Sequence, residues 1–169
     1  VVLGKPIRDN SVTSVYGDTR EGAREAARHL LALGHRRIAC VAGIAGEHYY
    51  VNDRFLGFKD VLEAEGLFDP ELVFQGEHNI DAAEAKTLEI LALDPRPTAI
   101  FSVSDPMVAG IYKAVYRMGL RVPEDVSVMG IDDAPMLKYI HPGLTTMRNS
   151  RKAVAEAGVS AFIEEVEGR

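Results

Sequence analysis

Three times in this chain a helix-periodic stretch stops at a glycine and a short apolar run follows, and that alternation restricts the fold more than any other feature. In residues 19–33, Ala23, Ala26, Ala27, Leu30 and Leu33 recur at helical spacing with charges on the other face, and Gly34 follows. A glycine just past the last periodic residue accepts the left-handed conformation that ends a helix. Residues 37–42 then read as a buried strand. The pattern returns in 53–65, with Phe55, Phe58, Val61 and Leu62 inward and Gly66 as the stop, and again in 106–118 before Gly119.

The remaining segments fit between these units. Residues 72–74 read as a strand, and 81–93 as a helix capped by Asp81. The continuous apolar run 98–103 reads as a strand covered on both faces. Asp105 reads as the cap of the helix that follows, with Pro106 at its first position, where a missing N–H costs nothing. Strands at 126–131 and 144–147 and a helix over 150–167 complete the series, with Pro135 and Pro142 in a loop between the strands. At the front, 1–3 and 14–16 read as extended pieces, and 5–14 as a linker between two lobes. Strands alternating with helices across short connections make an α/β fold with a parallel sheet.

Composition narrows the function. The formal charge is −6, and the basic residues are scattered, with Arg36-Arg37 the longest pair. A DNA-binding face needs clustered cations to displace counterions, so these residues are not expected to bind nucleic acid. No apolar run approaches the roughly 20 residues of a membrane span. The single Cys40 lies in the apolar run Ile38-Ala39-Cys40-Val41. It has no internal disulfide partner, reads as core, and fits a reducing cytoplasm.

Ligands of open parallel sheets bind at the carboxyl ends of the strands. Gly43 to Gly46 with Arg54 beyond it, Gly76-Glu77-His78, Ser104-Asp105 and Asp132-Asp133 all fall there. A guanidinium, carboxylates, an imidazole and a hydroxyl suit a ligand rich in hydroxyl or amide edges. Arg54 is open to a second reading, as a surface partner of Glu47 or Asp53. Gly43 and Gly46 lack the Lys-Ser/Thr of a phosphate loop and read as a turn. His29, His35, His48, His78 and His141 show no zinc-ligand spacing, and Asp132-Asp133 lack a third acid for a metal. Ser102 and Ser104 lie outside any nucleophile elbow. These residues read as a binding site without catalytic machinery, metal or cofactor, so the chain does not read as an enzyme.

Seven short motifs, in order, resemble the LacI/GalR family of transcriptional regulators. They are Asp18-Thr19-Arg20-Glu21-Gly22; Gly34-His35-Arg36-Arg37-Ile38; Arg54-Phe55-Leu56-Gly57-Phe58; Pro97-Thr98-Ala99-Ile100-Phe101 with Asp105; Gly119 through Val128; Gly130-Ile131-Asp132-Asp133; and Pro142-Gly143-Leu144-Thr145-Thr146. The resemblance implies a parallel-sheet βαβ lobe of the type I periplasmic-binding-protein-like fold, with only part of a second lobe present. It divides the chain into 1–18 (end of an N-terminal lobe and crossover), 19–149 (the C-terminal lobe) and 150–169 (a helix returning to the N-terminal lobe). Arg54 and Asp132 match the family's main ligand-contacting pair, Ser104 a frequent polar contact, and His78 a position often aromatic. His48 and Tyr50 match its variable pocket loop. Gly4 departs from the acid that several members carry.

The resemblance further implies a small polar effector, sugar-like or a nucleobase, held in an interlobe cleft. DNA would be bound only through a helix-turn-helix headpiece absent from these residues. It also implies a homodimer, with residues 107–115 either its surface or packed core. The rival reading with this fold is a periplasmic sugar-binding protein of a transporter. Pro123-Glu124-Asp125-Val126-Ser127 and Leu144-Thr145-Thr146 favour the regulator. A third reading is an α/β enzyme using Asp132.

Overall fold

The computed structural model describes residues 1–4, 6–7, 11–43 and 49–168, apart from the side chains of 49–51. In chain order the elements begin with β1 (Val2–Leu3), β2 (Ser14–Val15), α1 (Thr19–Ala32), β3 (Ile38–Ala42), α2 (Tyr49–Ala64) and β4 (Val73–Gln75). They continue with α3 (Ile80–Leu91), β5 (Ala99–Ser102), α4 (Asp105–Arg117), β6 (Ser127–Asp132), β7 (Thr145–Arg148) and α5 (Arg151–Val166). The contacts divide them into two units, residues 19–148 and residues 1–18 with 149–169.

The larger unit is the expected parallel α/β lobe. Its five strands run in the order β4-β3-β5-β6-β7, every neighbouring pair parallel. Helix α1 packs on α2, and α3 on α4. The two helix pairs cover the two faces of the sheet, so every residue of β3 and β5 is buried. That double covering is why these strands are apolar throughout instead of alternating. Gly34, Gly66 and Gly119 all take positive φ just past helix ends, as the sequence pattern requires.

Several details depart from the sequence reading. Leu33, read as inward, is 62% exposed because α1 ends before it. The cap of α3 is Asn79 and not Asp81: the Asn79 side chain accepts from the N–H groups of Asp81 and Ala82 at 2.8 and 3.2 Å. Asp81 instead adds a carboxylate to the first turn, where the helix dipole favours it. Leu72 belongs to a single 3-10 turn, Pro70–Leu72, that precedes β4, and a second such turn, Pro135–Tyr139, occupies part of the loop after β6. In α4, Met107, Val108, Ile111, Ala114 and Val115 are all fully buried. The apolar positions of 107–115 are therefore largely packed core, while Ala109 is part-exposed and Lys113 exposed on the helix's other face.

In the smaller unit β1 pairs in parallel with β2, and α5 packs on both. Gly158 lies so close to Leu3 that a Cβ would overlap its side chain. On the same helix Val159, Phe162, Ile163 and Val166 are exposed.

Candidate functional site

The site forms where β3, β5 and β6 end. Helix α2 delivers Arg54 to it, and the motif Arg54-x-x-Gly57-Phe58 explains how. Gly57 meets α1 so closely that a Cβ would overlap the backbone carbonyl of Arg20. Phe58 inserts into the core and stacks on Phe101 of β5, with centroids 4.8 Å apart. One turn earlier on the same helix, Arg54 is then laid against the end of β5.

Arg54 is only 7% exposed. Its Nη1 donates to the carbonyl of Val103 at 2.8 Å and to Asp132 Oδ2 at 3.1 Å, and its Nη2 to Asp132 Oδ1 at 2.5 Å. This is a two-pronged guanidinium–carboxylate pair, the geometry that gives both strength and orientation. It excludes the alternative in which Arg54 pairs at the surface with Asp53; Glu47 lies outside the described residues. Of the five donors of a guanidinium, the Nε–H is buried without a partner among the described residues.

Asp132 ends β6 with φ 144°, and Asp133 follows with φ 57°. Two successive non-glycine residues at positive φ are uncommon and require outside support. Asp133 Oδ2 accepts from Arg148 Nε at 2.6 Å, an exposed pair. The deeper support is Asp105. Its carboxylate does not cap α4; the cap position is Ser104. Asp105 is fully buried, and its Oδ2 accepts from the Ala134 N–H at 2.9 Å and its Oδ1 from the Thr146 hydroxyl at 2.9 Å. Burial pushes the Asp105 carboxyl above the usual carboxylate range, opposed by these hydrogen bonds. The sequence places Asp105 at the strand end and offers the local Asp-Pro signal, but neither points to Ala134 or Thr146. The clue to the rest was Gly130, a glycine inside an apolar strand, which marks close approach of another group.

Of the other expected site residues, Ser104 stands half-buried at the same edge and makes no capping hydrogen bond with its side chain. His78 is half-buried in the turn after β4, three strands from Asp132 and outside the Arg54–Asp132 pair. Tyr50 lies in the first turn of α2 with its side chain outside the described residues, and His48 falls outside them altogether. Among the described residues, no three His, Cys, Asp or Glu side chains are grouped to hold a metal ion, and no helix is long and apolar enough to cross a membrane. A guanidinium fork, a carboxylate and a hydroxyl can orient a polyhydroxylated ligand by donating and accepting at adjacent oxygens.

Residues 27–169 match the family model of the periplasmic binding protein-like domain. The chain is 30% identical over 170 residues to the HTH-type transcriptional repressor PurR of Vibrio atlanticus (strain LGP32), covering 100% of this chain and 51% of the repressor. Among solved structures, a regulatory protein of the LacI family from Chloroflexus aggregans superposes with a TM-score of 0.92 at 31% identity, over 99% of this chain and 60% of that one. The transcriptional regulator CelR in complex with cellobiose superposes with a TM-score of 0.86 at 30% identity, over 98% of this chain and 51% of that one. The chain spans about half the length of the curated relatives it matches.

Proposed function

This chain belongs to the periplasmic binding protein-like domain family, in the form found in LacI-family regulators, and from that premise we propose that it senses a small polar effector for a transcriptional regulator. The observation that carries the reading is the buried fork of Arg54 on Asp132 at the carboxyl edge of a parallel sheet. The relatives reported above are named as a repressor and regulators, which favours a regulator over a periplasmic transporter component or an enzyme.

In this reading the effector is sugar-like. It lies in a cleft between the 19–148 lobe and a companion lobe, and its hydroxyls engage Arg54, Asp132 and Ser104. His78, His48 and Tyr50 shape the pocket rim. The cellobiose complex of CelR supports a sugar over a nucleobase. A ligand held by both lobes binds one relative orientation more tightly and so shifts the population toward it. DNA is contacted by a headpiece other than these residues, which agrees with their net charge of −6. Residues 150–169 join the companion lobe, consistent with the exposed Val159, Phe162, Ile163 and Val166. The regulator works in the cytoplasm as a homodimer, for which the exposed Tyr116, Met118, Met136 and Tyr139 of the larger unit are a candidate surface.

Titration calorimetry of the full-length regulator against a panel of mono- and disaccharides and nucleobases tests the reading. A saccharide that binds wild type but loses at least about tenfold in affinity with Arg54→Ala and with Asp132→Ala supports it. Unchanged affinity in both variants places the pocket elsewhere. Sedimentation of the same protein reports the dimer.

A further inference from the structure

Asp105 is the one fully buried acid among the described residues, and its position is specific. In the register of β6 on β7, Gly130 lies opposite Thr146, and the Asp105 carboxylate sits against that pair. A Cβ at Gly130 would overlap Asp105 Oδ1, while Thr146 donates to the same oxygen. The other oxygen takes the backbone N–H of Ala134. A single carboxylate thus joins the start of α4, the strand β7 and the turn that leaves β6. An acid serving only as a helix cap needs neither burial nor a glycine notch; a buried one costs free energy unless its lone pairs are filled.

The turn it holds is the one that contains Asp132 and Asp133, both at positive φ. Arg54 and Arg148 grip the side chains of that turn, and the Arg148 pair is exposed. Asp105 grips its backbone. We propose that Asp105 is a positioning residue for effector recognition: by fixing the 132–134 backbone, it sets the Asp132 carboxylate opposite the Arg54 fork before any ligand arrives. This rests on the reading of Arg54 and Asp132 as the effector pair. Preorganisation of this kind removes the ordering cost from the binding step.

The test uses nuclear magnetic resonance of the full-length regulator without ligand, reading amide hydrogen exchange at Asp133 and Ala134 and the Arg54 guanidinium nitrogens. Asp105→Ala is expected to speed Ala134 exchange by about tenfold, the equivalent of one lost hydrogen bond, and to free the restricted rotation of the Arg54 Nη groups. Asp105→Asn rescues both, because its amide oxygen accepts from Ala134 and its NH₂ donates to Thr146 Oγ1. Ile90→Ala, in the core of α3, lowers stability generally and leaves the Arg54 signals unchanged. If Asp105→Ala does not fold, Thr146→Val reads the same network with a smaller increase in Ala134 exchange.

The proposal is overturned if these variants leave Ala134 exchange and the Arg54 signals as in wild type. It is also overturned if Ile90→Ala produces the same loss. No ligand enters the readout, so failure here leaves the effector pair standing. Failure of saccharide binding with these signals as expected strikes the effector reading alone.

Discussion

Phe58 and Phe101 stack with their ring planes 13° apart, and this contact fixes how deeply α2 lies on the sheet. Arg54 precedes Phe58 by one helical turn, and Val103, which accepts from Arg54, follows Phe101 by two residues. The core contact and the site contact are therefore the same packing read at two levels of α2 and β5. Phe58→Ala is expected to cost about 3–5 kcal/mol by cavity formation. It should also weaken saccharide binding, since a core anchor of α2 one turn from Arg54 is gone. Urea denaturation measures the first and calorimetry the second; full-strength binding in the folded variant would show that Arg54 is placed independently of this stack.

The pairing of Arg54 with Asp132 makes single and double substitutions diverge. Removing one partner of a buried pair leaves the other charge uncompensated. Asp132 keeps some exposure, so Arg54→Met or Asp132→Leu alone is expected to cost about 1–3 kcal/mol, below the range for fully buried pairs. The double variant should be more stable than the sum of the singles implies, a coupling of about 1 kcal/mol or more in a urea-denaturation cycle. It should nevertheless bind no saccharide that the wild type binds. Strict additivity would mean that the pair does not interact in solution.

How much of this was legible in the sequence depends on how local each signal is. The alternation of strands and helices, and the stops at Gly34, Gly66 and Gly119, are written within single turns and were readable. Arg54 and Asp132 were found through strand-end position and motif resemblance, but their mutual pairing spans 78 residues and has no local mark. Asp105 reads as a cap because Asp followed by Pro is a good local helix start, and only the tertiary partners Ala134 and Thr146 decide otherwise. The apolar positions of α4 recur at helical spacing whether a core or a second subunit covers them, so periodicity left 107–115 open. The cap of α3 was displaced by two residues, an error expected where Asn79 and Asp81 both satisfy the pattern.

Two acids should respond to pH with opposite sign. Hydrogen bonds from Lys113 and then Arg117 hold the Glu84 carboxyl below its usual range. Its contribution to stability is present above the unfolded carboxylate pKa and is lost as pH falls through the lowered folded value. Asp105 is raised, chiefly by burial, so its contribution is present below the unfolded value and is lost as pH rises through the folded one. Urea midpoints between about pH 7 and about pH 4 should therefore show wild type losing ground to Glu84→Gln on acidification. Over the same range wild type gains on Asp105→Asn. Parallel pH profiles for the two comparisons would contradict the assignment of either shift.

Cys40 supplies a probe that depends on neither ligand nor partner. It lies on β3 between Val73 of β4 and Phe101 of β5, fully buried, and burial pushes its thiol far above the ordinary range. The thiolate is the reactive species, so the native chain holds almost none and exposes none. Alkylation must therefore wait for the sheet centre to open. With domain stabilities of about 5–15 kcal/mol, opening by global unfolding makes labelling slower than that of a free thiol by at least about a thousandfold. Rising urea should increase the rate with the slope of the equilibrium transition. Mass-spectrometric labelling by iodoacetamide checks this directly. Rapid labelling without urea would mean that the sheet opens locally at β3, beside the end of the strand from which the chain leads to Arg54.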